Sequence, residues 1–345
     1  MSDGEDKRRA TRNWREYKEE MRESYRVYAW VWRELVSIEA KQWYKKMSVA
    51  LVVEVSLALS VPFAVSLVIN GLVQHDYKKV AVALVAVFSA LALERVAAHF
   101  VMVYREWILG INYGTLDKRT SELFFEKSMG QHQQENSSLS ASNVEKGRGR
   151  VIELQNMMLF EGEHTLIILA VSFALLWLIT PVAGMVMTLM MLIIIAWSMF
   201  MNQRVSETMA PVDKEMRALN RYRVERWDQV ARVKSNAKEV EEVTTIVDWF
   251  NRIVLADRTF WLWYIKNLTG RGILTVVALV CSLLYGVWLV WNGVWEVGLL
   301  YPLFTWASNV KDTVWRIGHI EHQLNWNMPS VRSLMEALSI VPDVV

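Results

Sequence analysis

The sequence predicts an all-α polytopic membrane protein with six transmembrane helices and two long cytoplasmic helical arms. Three observations predict it. Hydrophobic residues make up 53% of the 345 positions, with 17 Trp and 17 Met, and the mean hydropathy is positive, at +0.17. Several apolar runs approach the roughly 20 residues that a helix needs to cross hydrocarbon. Two polar stretches, 105–164 and 202–271, separate the apolar blocks yet keep a helix-forming composition.

The elements follow in chain order. Residues 1–26 are a charged cytoplasmic segment without the apolar core of a signal peptide. Residues 27–46 mix Tyr28, Trp30, Trp32, Trp43 and Tyr44 with Arg33, Lys41, Lys45 and Lys46. Aromatics favour the headgroup level and cations face an anionic surface, so the stretch reads as an interfacial elbow helix. The six-helix domain covers 47–321, with spans at about 47–72, 80–104, 165–180, 182–201, 272–291 and 299–310. The block from Thr165 to Met201 is apolar for 37 residues, near 55 Å at about 1.5 Å per residue. That length requires a hairpin, broken at Thr180, Pro181 and Gly184. The sixth span continues as a more polar helix, and 322–345 reads as a linker.

The first polar block breaks at "GQHQQENSSLSASNVEKGRGR", residues 130–150, rich in Ser, Asn, Gln and Gly. Two helical arms joined at a tip satisfy this pattern. The second block holds "EMRALNRYRVERWDQVARVKS", residues 215–235, with nine charges and two aromatics. Tyr222 is the expected turn, and a return helix is expected from near Trp227.

Charge sets orientation. The first 46 residues hold 12 Lys and Arg, block 105–164 holds seven and block 202–271 holds 13. The short loops on the other side hold only Lys78 and Lys79. The positive-inside rule then puts both termini in the cytoplasm of a plasma or inner membrane. A formal charge of +2 gives no field that recruits nucleic acid. Cys281 stands alone in an apolar run and reads as an inert thiol. Six scattered His residues have no metal-ligand spacing. "EKGRGR", residues 145–150, follows no expected strand and lacks the Lys-Ser/Thr of a phosphate loop.

The layout resembles the six-helix, swapped-arm transmembrane domain of ABC exporters. "HQQENSSLSASNVEKGR" resembles the tip of that family's first intracellular loop, and "VERWDQVARVKS" resembles the second. "WEVGLLYPLFTW", residues 295–306, is similar to the turn into the sixth helix, and "SVRSLMEALSIVPDVV" to the linker before the ATP-binding domain. The family's first loop usually carries Gly where Ser137 and Ser138 stand.

The resemblance implies a membrane-spanning exporter subunit whose partners are nucleotide-binding ATPase domains, a second transmembrane half (an identical or different chain) and membrane lipid. It implies no cofactor on this chain, with ATP and Mg at the partner domains. It further implies that the tips dock into those domains, through Gln131, His132, Gln133, Glu135 and Asn136 at the first and Asn220, Tyr222, Arg223 and Glu225 at the second. No G-x-x-x-x-G-K-[ST] occurs in the chain. The ATPase is then expected in trans or in a further part of a longer protein. The alternative is a non-energised receptor, channel or degenerate pseudo-transporter of the same fold. No nucleophile and base are spaced for a membrane enzyme.

Ionisable groups inside spans mark candidate pathway residues, because a charge in hydrocarbon is costly and faces a bundle interior or a wet cavity. They are Glu54 in the first span and Glu94, Arg95 and His99 in the second. Arg95 and His99 share a helix face, and Glu94 points about 100° away. Trp306 in the sixth span is the aromatic candidate. The alternatives are a hydrogen bond between helices or a place near the cytoplasmic interface for Glu54, an interhelical ion pair or snorkelling for Glu94, Arg95 and His99, and packing for Trp306.

Overall fold

A computed structural model describes residues 14–134, 139 and 141–341. All regular structure among them is helical. Five helices are long and apolar enough to cross a membrane: Ile38–Val73, Tyr77–Phe125, Val144–Ile179, Pro181–Met201 and Glu239–Trp291. On that ground this is an integral membrane protein. The sixth expected span, 299–310, is not among the five. It opens a helix, Leu300–Leu338, in which Lys311, Asp312 and Arg316 soon follow the apolar start.

The chain separates into two compact units. One is built on Glu20–Leu189 and Val277–Val345, the other on Met190–Val276 together with the chain up to Glu19. The helix α1 (Trp14–Trp30), which enters the first unit at Glu20, continues into a π-helical segment, Val31–Leu35. The chain then breaks at Val36, which is extended at φ −112°, ψ 118°. The Ser37 hydroxyl accepts from the Ala40 N–H at 3.1 Å and starts α2 (Ile38–Val73). The single interfacial helix expected over 27–46 is therefore two helices with a corner between them. The cause is the Ser37 cap, together with a buried stripe of Val27, Val31 and Leu35 that faces a protein core.

Asp76 caps α3 (Tyr77–Phe125) by accepting from the N–H groups of Lys78 and Lys79. The helices α2 and α3 form a hairpin. Trp43 of α2 stacks on Trp107 of α3 at 5.7 Å, with Lys46 over the Trp43 ring at 4.1 Å. At 49 residues, α3 is about 73 Å long, more than twice the roughly 30 Å of hydrocarbon. Its second half is the outgoing limb of the first arm.

That arm turns through α4 (Met129–Gln134) and returns in α5 (Ala141–Asn156). The expected break over 130–150 is shorter, because 141–150 is already helix. A π-helical segment, Met157–Gly162, leads to α6 (Glu163–Ile179). Thr180 is extended and Pro181 opens the next helix, where its missing N–H costs nothing. The expected hairpin break lies there.

The last helix, α10 (Leu300–Leu338), is preceded by a short 3-10 turn, Val297–Leu299. Its far half, where the linker is expected from 322, is helical as far as Leu338 and packed. Ile320, Met328, Val331, Leu334 and Leu338 pack with Val27, Leu116, Val151 and Leu154 into one core. Burial of such a stripe holds the helix to its end. The near end is fixed differently. The Gly298 N–H donates to Asn70 Oδ1 at 2.7 Å, and a Cβ on Gly298 would collide with the Ser66 carbonyl.

The second unit is a hairpin of α7 (Pro181–Asp228) and α9 (Glu239–Trp291), both of which begin or end in the first unit. Within it, Trp197 donates to Asn267 at 3.3 Å, Arg204 lies over Trp263 at 5.1 Å, and Tyr222 donates to Glu242 at 2.6 Å. Partner numbers fall as residue numbers rise, the signature of an antiparallel pair. Phe260 is buried among Trp261, Trp263 and Tyr264. The reversal is at Gln229 to Lys238 and encloses the short α8 (Val230–Ser235), with Ala237 at φ 51°. The turn expected at Tyr222 thus falls later in the sequence. Residues 215–228 hold no Gly or Pro, so α7 runs on unbroken to Asp228.

Candidate functional site

A cavity of about 210 Å³ lies among α2, α6 and α10. Helix α2 contributes Glu54, Val55, Ala58, Leu59 and Pro62; α6 contributes His164 and Ile168; α10 contributes Thr305 and Asn309. Glu54, Ala58 and Pro62 are spaced by four and so share a helix face, as do Thr305 and Asn309 on theirs. Glu54 and His164 lie near the starts of their apolar stretches, and Asn309 near the end of its own.

Pro62 shapes this wall. It lies inside α2 and has no N–H, so the Ala58 carbonyl loses its helical donor. The adjacent carbonyl, Leu59 O, accepts from the Trp306 indole N–H at 2.9 Å. Trp306 is 2% exposed and does not line the cavity. It is a packed brace between α10 and the stretch of α2 that carries Pro62.

Glu54 forms no hydrogen bond or ion pair among the described residues, although Glu94 and Arg95 lie within electrostatic range. Arg95 is committed to Glu94, at 3.5 Å, and its side chain is 81% exposed. His99 is exposed and packs edge-on against Phe100 at 5.9 Å. Glu54 is thus the candidate that the cavity takes up, while Glu94, Arg95 and His99 stay outside its lining. His164, Thr305 and Asn309 join it; no sequence pattern marks them beyond the i, i+4 spacing of the last two.

At the first tip, Gln131 is 5% exposed. Its Oε1 accepts from the Ser128 N–H at 3.1 Å and its Nε2 donates to the Val341 carbonyl at 2.7 Å. Lys127, also buried, donates to the Ile340 carbonyl. The His132 ring packs on Phe124 at 4.6 Å. Glu135 and Asn136 lie outside the described residues, and so does the Gln133 side chain.

At the second tip, Asn220, Tyr222, Arg223 and Glu225 all belong to α7, ahead of the turn. Asn220 accepts from Arg223 at 2.6 Å, and Arg223 lies over Trp227 at 5.3 Å. Arg226 lies over the Tyr222 ring at 4.7 Å and pairs with Glu242 at 3.3 Å. Its hydrogen bond with Tyr222, then the charges of Glu242 and Glu225, hold its guanidinium above the usual value. These residues form a strut between two helices. The tip itself exposes Val230, Arg232 and Lys234.

Among the described residues, no three His, Cys, Asp or Glu gather as a metal site. No protein-family model matches the chain, and no curated protein matches it.

Proposed function

We propose that this chain is the membrane-spanning part of an ATP-driven exporter of the ABC kind. It forms the translocation path and couples to nucleotide-binding domains through its two arms. One observation carries the reading: a six-residue helix, α4 or α8, closes each long helical arm at its chain reversal. A short rigid knob on a long lever is what mechanical coupling to a partner domain requires. The separate compactness of Met190–Val276 supports the same reading, because the fourth and fifth helices of such exporters cross to the other half. Six spans, cytoplasmic termini and a paired second half belong to this proposal.

ATP and Mg would bind at the partner domains and bias a two-state bundle between inward and outward access. Glu54 and the cavity around it would meet substrate. Co-expression with candidate ATP-binding domains, in trans or fused after Val345, tests this. A stable complex with substrate-stimulated ATPase is expected. The reading fails if no such domain forms a complex with the chain.

A further inference from the structure

We propose that the cavity among α2, α6 and α10 binds the ammonium group of a small organic primary amine, with Glu54 as its counter-charge. This deepens the exporter reading by naming a substrate class, and it rests on that reading for its transport role.

The inventory of polar groups around the cavity decides the chemistry. Glu54 is a carboxylate that makes no hydrogen bond or close ion pair among the described residues. The Ala58 carbonyl has lost its helical donor to Pro62. Thr305 already donates its hydroxyl proton to the Tyr301 carbonyl at 2.9 Å, so its oxygen is left to accept. His164 and Asn309 make no hydrogen bond among the described residues, and each carries an acceptor, the imidazole in its neutral form. The lining is therefore rich in acceptors, and its one ionisable acid is Glu54; the cations nearest to it, Arg95 toward Glu54 and Arg316 toward His164, stay outside the lining, and Arg95 is paired with Glu94. The complement of such a lining is a cation with several N–H donors.

Other cations fit worse. A quaternary ammonium has no N–H and is held by aromatic faces. Among the described residues no Trp, Tyr or Phe lines this cavity. A divalent metal needs more anionic or imidazole ligands than one Glu and one His. The remaining walls, such as Leu59 and Ile168, are apolar and suit the hydrocarbon part of an amine. Size sets the scale. At about 210 Å³ the cavity is below the roughly 300 Å³ at which drug-sized sites begin.

The test is equilibrium binding of tritiated 2-phenylethylamine to the whole chain in lipid nanodiscs, without ATP. Saturable binding is expected, displaced by benzylamine but not by phenyltrimethylammonium or 2-phenylethanol. Glu54→Gln, which keeps the side-chain shape, should weaken binding at least about tenfold, the effect of losing one charge-assisted contact. Asn309→Leu should weaken it by a smaller factor. Thermal unfolding of both variants guards against misfolding. If either one unfolds, Glu54→Asp takes its place and should keep intermediate affinity.

Absence of saturable binding, unchanged affinity in Glu54→Gln, or equal competition by the quaternary ion overturns the proposal. Loss of amine binding in a chain that still stimulates a partner ATPase counts against the site alone. Intact amine binding in a chain that no ATP-binding domain joins supports the site and removes the exporter reading.

Discussion

The side-chain amide of Gln131, at the tip of the first arm, donates a 2.7 Å hydrogen bond to the backbone carbonyl of Val341, just past the end of α10. Lys127 donates to the preceding carbonyl, Ile340. Both donors are buried, at 5% and 7% exposure. The tip and the segment leaving α10 are thereby tied into one body. Gln131 is occupied within the chain, so its contribution to coupling is indirect: it sets where the tip sits.

Gln131→Ala should therefore release the segment after Leu338. Val341 is exposed, so water can replace the lost donor and the cost is that of an ordinary hydrogen bond, about 0.5–1.5 kcal/mol. Amide hydrogen exchange should rise at Ser339 to Val341 and in α4 together, with α2 and α3 unchanged. Exchange confined to α4 would show that the tie does not hold the segment.

The strut and the tip of the second arm separate stability from coupling. Tyr222→Phe removes the hydroxyl that reaches Glu242 at 2.6 Å and should cost about 1 kcal/mol in unfolding. Arg232→Glu with Lys234→Glu alters exposed side chains on α8 and should leave stability within about 0.5 kcal/mol. With a partner ATPase present, the second change should abolish substrate stimulation, whereas the first should only reduce it. The reverse ranking would return the docking role to α7.

Much of this was legible in the sequence, and the rest was hidden for physical reasons. Thr180 and Pro181 announced the hairpin because Pro fixes φ and removes a donor wherever it stands. The hydrophobic runs announced five of the six expected spans. The second turn was misplaced because the pile of aromatics and cations around Tyr222 reads as a knob, while α7 in fact uses it to grip α9. Pattern alone does not tell an exposed anchor from an internal strut. Residues 322–338 read as a linker because Asn, Glu and Gln dilute a stripe whose buried members, Met328, Val331, Leu334 and Leu338, recur at three and four. The cavity was half legible: Glu54 stood out as a charge in a span, but the convergence of His164 and Asn309 on it needs three helices from distant parts of the chain.

Trp306 and Pro62 should show energetic coupling. Trp306→Phe removes the indole donor to the Leu59 carbonyl, at a cost of about 0.5–1.5 kcal/mol. Pro62→Ala returns a helical N–H to the Ala58 carbonyl one residue away, and so changes how the Leu59 carbonyl is presented to the indole. In that background the Trp306→Phe penalty should shrink. A double-mutant cycle on unfolding should then give an interaction of at least about 0.5 kcal/mol. Additive effects would mean that the indole serves packing alone.

The two glycines of α5 make the sharpest contrast, because they differ by two residues and one neighbour. A Cβ on Gly147 would lie 2.6 Å from the Cβ of Leu334, inside the core that joins α5 to α10. Gly149 has nothing within 4 Å of that position. Gly147→Ala should therefore force the helices apart and cost about 1–3 kcal/mol, as overpacking does. Gly149→Ala should be neutral or stabilise by up to about 1 kcal/mol, because alanine loses less backbone entropy in a helix. Thermal unfolding in detergent measures both. Since α5 is the returning limb of the first arm, Gly147→Ala should also lower partner-stimulated ATPase, while Gly149→Ala should leave it intact. Equal stability of the two variants would mean that α5 and α10 do not approach as closely as Gly147 and Leu334 require.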